Sequence, residues 1–372
     1  MDPFQRATAW IDLGAVERNC ARLAAALDGD ARLCAVVKAN GYGHGMLESA
    51  GAALAGGASC LAVATASEAF ELREALPEAR IMVIGALTDP ELDVALDARA
   101  ELTVWREGFL EAVAERGRRF GVRPRVHVKY DTGMGRLGAR DPAAVEALLE
   151  AAAADERLEL TGLWTHFATA DERDSPFFDE QLGRFADLAV AARERFGVEL
   201  HAANSAATLR EPASHFDMVR CGIAVYGLDP FGVDGAVAGL EPVLGLSSYV
   251  ADVKRFESGQ SAGYGRRWSA PAETLVGIVP IGYGDGVRRS LTNNCEVLIA
   301  GRRYPLVGTV SMDNITIDLG PDPEVEPGEE VVLLGASGGE RVTAEDWARR
   351  LETINYEITC GISSRVPRVR RR

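Results

Sequence analysis

Short apolar runs alternate with segments of helical periodicity through the first two-thirds of the chain. This pattern predicts repeated strand–helix units and a parallel sheet. Eight runs read as strands: Leu33–Lys38, Cys60–Thr65, Arg80–Gly85, Glu101–Trp105, Arg125–Tyr130, Glu159–His166, Glu199–Ala203 and Phe216–Cys221. Helices are predicted between them, such as Ser67–Leu76 and Asp141–Ala154, the latter with Asp141 as cap and Pro142 in the first helical position. Ahead of the first strand, Val16, Cys20, Leu23 and Leu27 recur at helical spacing. Eight such units close a (β/α)₈ barrel. The first turn after a strand, Lys38-Ala39-Asn40-Gly41-Tyr42-Gly43-His44-Gly45, lacks the glycine spacing of a dinucleotide-binding open sheet.

The pattern changes after the loop-like stretch Asp229–Gly239. Asn314–Leu319 alternates polar and apolar residues, Glu296–Ala300 runs into a Gly301 turn, and Glu330–Leu334 is a further apolar run. A helix is predicted from Thr343 as cap through Trp347 to Leu351. The expected organisation is a barrel domain over residues 1–236 and a mostly antiparallel β domain over 237–372, with residues 1–12 pairing with the second domain.

Composition narrows the function. The 372 residues are 47% hydrophobic and carry a net charge of −15, which opposes a nucleic-acid or anionic-membrane surface and favours a small-molecule substrate. The basic tail Arg365–Arg372 reads as a solvated terminus. Six scattered cysteines form no C-x-x-C pair and no metal spacing, so reduced, mostly buried thiols in a cytoplasmic protein are expected, with no metal. No apolar stretch predicts a membrane span, and the N-terminus has no export-signal pattern.

In a barrel of this kind, residues just past each strand gather at one mouth. They include Lys38 and Tyr42, Lys129 ahead of Asp131–Arg136, His166, Asn204 and Ser205, and Arg220 with Gly222 and Ile223. A lysine at the end of an apolar strand, opening into a glycine-rich loop, suits covalent work on a carbonyl. Ser205 and the amides around Gly222 follow strands seven and eight, where such barrels most often bind phosphate. A phosphate opposite an amine suggests pyridoxal 5'-phosphate.

These residues carry a family resemblance. The chain resembles alanine racemase, a pyridoxal-phosphate enzyme of fold type III, along nearly its whole length. The matching segments are Arg6–Leu13, Lys38–Gly45, Lys129–Gly138, Thr165–Ala168, Asn204-Ser205, Arg220–Ile223, Gly263–Gly265, Gly282–Gly286, Ser311–Asp313 and Ile354–Glu357. The resemblance implies interconversion of L- and D-alanine by two bases, supplying D-alanine for peptidoglycan or entering D-alanine breakdown. It implies that Lys38 carries the cofactor and is one base, and that Tyr264 is the other, contributed across a homodimer interface to a shared site. Arg220 is implied to face the pyridine nitrogen, with His166 orienting it. Tyr42, Ser205, Gly222, Ile223 and Tyr356 are implied phosphate contacts. Arg136, Met312 and Tyr283 are implied at the substrate, and Lys129 is a candidate for carbamylation that would steady Arg136. Asp285 and Asp313 look like supporting residues. Gly41 and Gly284 depart from the alanine common in the family, and the tail ends in arginines where an aromatic residue often stands. The rivals are a serine or broader amino-acid racemase, a fold-type-III decarboxylase, and a non-catalytic pyridoxal-phosphate carrier, the last opposed by the large second domain.

Overall fold

All eight predicted barrel strands are present, with ends that move by at most two residues. The chain opens with a short strand, β1 (Thr8–Ile11), and continues through β2 (Arg32–Val36), β3 (Cys60–Val63), β4 (Ile81–Val83), β5 (Glu101–Val104), β6 (Arg125–Lys129), β7 (Glu159–Trp164), β8 (Glu199–His201) and β9 (Met218–Cys221). The computed structural model describes residues 5–321 and 324–371. It divides into two compact units: Val16–Gly41 with Met46–Val225, and the residues up to Ala15 with Tyr42–Gly45 and Tyr226 onward.

In the first unit, β2 to β9 are parallel and neighbour one another in the order β8-β7-β6-β5-β4-β3-β2-β9. The edges β8 and β9 meet through Asp217 N to Leu200 O at 3.0 Å and Arg220 N to Ala203 O at 2.9 Å, so the sheet closes into a near-barrel. Strands β3, β4 and β5 are buried at every position, as a sheet covered on both faces requires. The predicted ends were too long because residues such as Lys38, Thr65, His166 and Ala203 leave the ladder to enter loops at the C-terminal mouth.

Local chemistry sets the helix ends. Thr65 and Glu68 form a capping box ahead of Ala66–Ala75, and the Asp141 carboxylate accepts the Ala143 amide at 3.1 Å ahead of Pro142–Ala154. Gly121 and Gly197, at φ +66° and +68°, end the helices Glu107–Phe120 and Phe177–Phe196 in the left-handed conformation that costs glycine least. The predicted N-terminal helix is Leu13–Ala25, which buries Val16, Cys20 and Leu23.

The second unit carries a mostly antiparallel sheet built from β10 (Leu244–Tyr249), β11 (Asp252–Phe256), β14 (Thr274–Val279), β15 (Glu296–Ile299), β16 (Arg302–Val307), β17 (Ile315–Gly320), β18 (Glu330–Ser337), β19 (Glu340–Val342) and β20 (Arg368–Arg370). The short pair β12 (Ser261–Ala262) and β13 (Trp268–Ser269) stands beside it. β1 enters this sheet, antiparallel to β10 and parallel to β20. Ala300 and Gly301, at φ +46° and +80°, form the two-residue turn between β15 and β16. The helix Ala344–Leu351 starts with a Thr343–Asp346 capping box, and its Trp347 is buried in the core.

Candidate active site

At the mouth of the first unit, Lys38 follows directly on an apolar strand and begins a left-handed turn. Ala39, Asn40, Gly41 and Tyr42 all have positive φ, between 52° and 62°. Such a conformation costs roughly 1–2 kcal/mol for each non-glycine residue, so it persists only where other bonds hold it. Three such bonds are present. Gly41 N donates to Val37 O at 2.8 Å, Ala39 N to Glu68 Oε1 at 2.6 Å, and Met46 N to Asn40 Oδ1 at 3.0 Å.

Lys129 ends β6 and is buried, its ammonium 4.0 Å from the centre of the Trp164 ring. Burial, reinforced by Arg220 and Arg136 and opposed by Asp131, lowers its pKa from 10.5 to about 7. The loop that follows is organised by the Asp131 carboxylate, which accepts the amides of Gly133 at 3.1 Å and Gly135 at 2.9 Å. Arg136 stands exposed at the end of that loop. Gln181, fully buried, ties the neighbouring mouth loops together, bonding the Thr132 hydroxyl at 3.1 Å, the His166 carbonyl at 3.2 Å and the Ala168 amide at 2.8 Å.

Arg220, on β9, is 3% exposed. Its guanidinium donates to Thr165 O at 2.7 Å, Ala202 O at 3.2 Å, His201 Nδ1 at 3.0 Å and His166 Nδ1 at 3.2 Å. It lies 4.5 Å from the centre of the Trp164 ring. Among the described residues no carboxylate pairs with it. Burial pushes its pKa down to about 10, so it remains a cation at neutral pH. His166 is held well below its ordinary value by burial and by Arg220, which makes it a neutral ring whose Nδ1 accepts.

Ser205 follows β8 and is buried. Its hydroxyl accepts the amides of Gly222 at 3.0 Å and Ala224 at 3.3 Å, bringing that serine against the turn after β9 where Gly222 and the buried Ile223 lie. Asn204 caps the short helix Ser205–Arg210 through the Ala207 amide at 3.0 Å.

The other predicted residues belong to the second unit. Tyr42 packs against Tyr226 and Tyr356, with ring centres 5.2 and 6.0 Å apart. Gly43 beside it has φ +86°, and a Cβ there would lie 2.2 Å from the Thr359 carbonyl. Tyr264 follows β12 with 73% of its surface exposed, and its carbonyl accepts the Thr309 hydroxyl at 2.6 Å. Met312 and Tyr283 are 51% and 43% exposed. Their segments are joined by Tyr283 N to Ser311 O and Gly284 N to Met312 O, both 3.0 Å. Beneath them Asp285, 1% exposed, accepts from Arg6 at 2.9 and 3.0 Å and from the Gly282 amide at 2.9 Å, while Arg365 reaches Asp313 at 2.7 Å.

The chain also matches known proteins. Residues 11–230 match the family model for the alanine racemase N-terminal domain, and residues 243–370 match that for the C-terminal domain. The chain belongs to the alanine racemase family. It is 43% identical to the alanine racemase of Frankia casuarinae, covering 98% of this chain and 96% of that protein. It is 40% identical to alanine racemase 1 of Bacillus subtilis, covering 99% and 94%. A solved alanine racemase from Streptomyces coelicolor superimposes with a TM-score of 0.93 at 42% identity, covering 98% of each chain.

Interconversion of L- and D-alanine is the activity of this racemase family, whose enzymes use pyridoxal 5'-phosphate. The donor set suits that group. Lys129 feels Arg220, Arg136 and Lys38 as like charges and Asp131 as an opposite one, while the Asp131 oxygens also serve loop amides. The buried Arg220 cation and the exposed Arg136 suit anions, and a cofactor phosphate and a substrate carboxylate supply them.

Sequence reasoning missed Trp164, His201, Gln181 and Glu68. Trp164 and His201 lie inside predicted strands and could have been suspected as polar or amphipathic residues in otherwise apolar runs. Glu68 carried a signal, since Thr65-x-x-Glu68 is a capping box, but its bond to the Lys38 loop spans 29 residues and depends on the fold.

Proposed function

We propose that the chain interconverts L- and D-alanine with Lys38 and Tyr264 as the two bases, one on each face of the substrate Cα. The observation that carries this reading is Lys38 itself: a strand-end lysine on a left-handed turn held by three hydrogen bonds, within electrostatic reach of Lys129.

Bound pyridoxal 5'-phosphate supplies a carbonyl that captures amines covalently and a conjugated ring that draws electrons from Cα. Lys38 would hold it through its amine and, as a base, would pass the Cα proton on one face. Tyr264 would return a proton on the opposite face through its phenolic oxygen; each positioned acid–base group is typically worth roughly 10²- to 10⁴-fold. Arg220 would face the pyridine nitrogen as a donor that keeps its own proton, limiting how much charge the ring accepts. His166 would steady Arg220. Ser205 and the backbone at Gly222 and Ile223 would hold the phosphate, and the same role is proposed for Tyr42 and Tyr356. Arg136, Met312 and Tyr283 would bind and admit the substrate.

A homodimer with shared sites is part of the reading. Tyr264, Tyr283 and Met312 are exposed apolar or aromatic side chains on anchored loops, which favours a second copy covering them. No helix among the described residues is long and apolar enough to cross a membrane. The free thiols, five of them buried, support a reducing cytoplasmic setting.

Borohydride reduction of the protein with its cofactor, followed by peptide mapping, tests the assignment. The reduced adduct is expected on the peptide that contains Lys38, and an adduct on any other lysine would reject it.

A further inference from the structure

A chain of buried hydrogen bonds runs through the barrel interior from Arg220 to the opposite end of the sheet. Arg220 Nη1 meets His201 Nδ1 at 3.0 Å, His201 Nε2 meets His127 Nδ1 at 3.0 Å, and His127 Nε2 meets Glu101 Oε2 at 2.7 Å. His127 and His201 are fully buried and Glu101 is 2% exposed. The links come from β9, β8, β6 and β5, and Glu101 is the first residue of β5.

The direction of every bond follows from Arg220. A guanidinium only donates, so His201 Nδ1 must be bare, and a neutral His201 then carries its proton on Nε2. That proton points at His127 Nδ1, which must also be bare. His127 therefore carries its proton on Nε2 and gives it to Glu101, an acceptor at both oxygens. The reverse direction would require a His201 ring with no proton on either nitrogen. These tautomers are assigned from the hydrogen-bond network.

Three further features show that the fold reserves this arrangement. Gly162 on β7 faces His127, and a Cβ there would lie 2.1 Å from His127 Nδ1. Glu101 is held in place by Arg80, with contacts of 2.8 Å to each oxygen, and by Arg125, while Arg80 also binds Glu199 at 2.6 Å. The Trp164 ring lies nearly parallel to His201, 9° between planes, with Arg220 over the same indole.

We propose that Glu101 and His127 are positioning residues for the racemase reaction, acting through His201 to fix the direction and orientation in which Arg220 donates. The carboxylate locks His127 with Nδ1 bare; His127 in turn anchors the proton on His201 Nε2, leaving His201 Nδ1 for the guanidinium. Without that anchor Arg220 keeps the two carbonyls and His166 at Nη2 but loses the partner that fixes Nη1, so the guanidinium can rotate. The inference rests on the reading that Arg220 faces the cofactor ring.

The test uses the enzyme with its cofactor, labelled with ¹⁵N at its five histidines, together with His127→Leu and His127→Asn. In the unmodified enzyme the His201 nitrogen shifts are expected to report a protonated Nε2 and a bare Nδ1; a proton on Nδ1, or on both, overturns the proposal. His127→Leu removes the acceptor and is expected to lower kcat roughly tenfold, the low end of what losing an outer positioning partner costs, with a shift in the visible absorbance of the bound cofactor. His127→Asn offers an oxygen near the lost Nδ1 and is expected to recover most of both. A folded His127→Leu enzyme with unchanged absorbance and kcat overturns the proposal. If His127→Leu does not fold, the tautomer of His201 in the unmodified enzyme decides alone. A His201 proton on Nε2 in a protein that fails to take up the cofactor would leave the network standing and reject the reading of Arg220 instead.

Discussion

Ala39 gives its amide proton to Glu68 Oε1 at 2.6 Å, while Glu68 Oε2 accepts the amides of Ala64 and Thr65 at 2.9 and 3.2 Å. One carboxylate therefore both starts a barrel helix and holds the residue after the proposed cofactor lysine in its left-handed conformation. Glu68→Ala is expected to cost about 1–2 kcal/mol of stability through the lost cap and to lower kcat about tenfold by freeing Lys38. Glu68→Gln, which keeps one acceptor oxygen, should fall between the two. Unfolding curves and alanine kinetics on both variants check this; an unchanged kcat in a folded Glu68→Ala enzyme would detach Glu68 from the site.

Lys129 has a distinct pH signature. Its pKa falls from 10.5 unfolded to about 7 folded, mainly through burial. Between these values the unfolded chain binds the extra proton, so this group makes stability rise with pH from about 7 to about 10.5. Below 7 both states are charged and the burial cost is fully felt. Lys129→Met should therefore gain most over the parent below pH 7 and lose that advantage as pH rises, read as the difference in Tm across the range.

The same depressed pKa leaves a large neutral fraction of Lys129 at physiological pH, and a neutral amine can add to carbon dioxide with loss of a proton. Carbamylation of Lys129, placing a carboxylate near Arg136, is expected in bicarbonate buffer. Native mass spectrometry or ¹³C NMR with labelled bicarbonate should find the adduct on the unmodified enzyme and not on Lys129→Met; its absence from the unmodified enzyme, or its persistence in Lys129→Met, would reject the assignment.

Asp285 supports the loops that carry Tyr283 and Met312. It is 1% exposed and bonds Arg6, while Arg365 lies 3.5 Å away and is half-exposed. Replacing it with Leu leaves the Gly282 amide without its acceptor and strips Arg6 of its buried partner, leaving it only Asp313 at 3.2 Å. Destabilisation of about 2–3 kcal/mol is expected, below the usual cost of breaking a buried pair because both arginines reach solvent. The KM for alanine should rise more than kcat falls, as checked by steady-state kinetics.

Much of this was legible in the chain itself. The barrel strands were visible because parallel strands covered on both faces read as mostly apolar runs, and Asp141 and Thr343 announced their helices by local capping chemistry. Lys38, Lys129, Arg220 and Ser205 could be gathered because the fold sends strand ends to one mouth. What remained hidden was pairwise and distant. The left-handed turn at Ala39–Tyr42 contains only one glycine, so its backbone state does not follow from residue type. His127 and His201 look alternately like core or surface residues until β6 and β8 are brought together, and Gly162 reveals its purpose only when His127 stands opposite it.

The central claim is the pair of bases, and circular dichroism of alanine racemisation on the parent enzyme and Tyr264→Phe tests it most directly, with the cofactor's visible absorbance recorded for both. The account predicts racemisation by the parent and its collapse in Tyr264→Phe, with the absorbance band retained. A Tyr264→Phe enzyme that racemises alanine at the parental rate would contradict it.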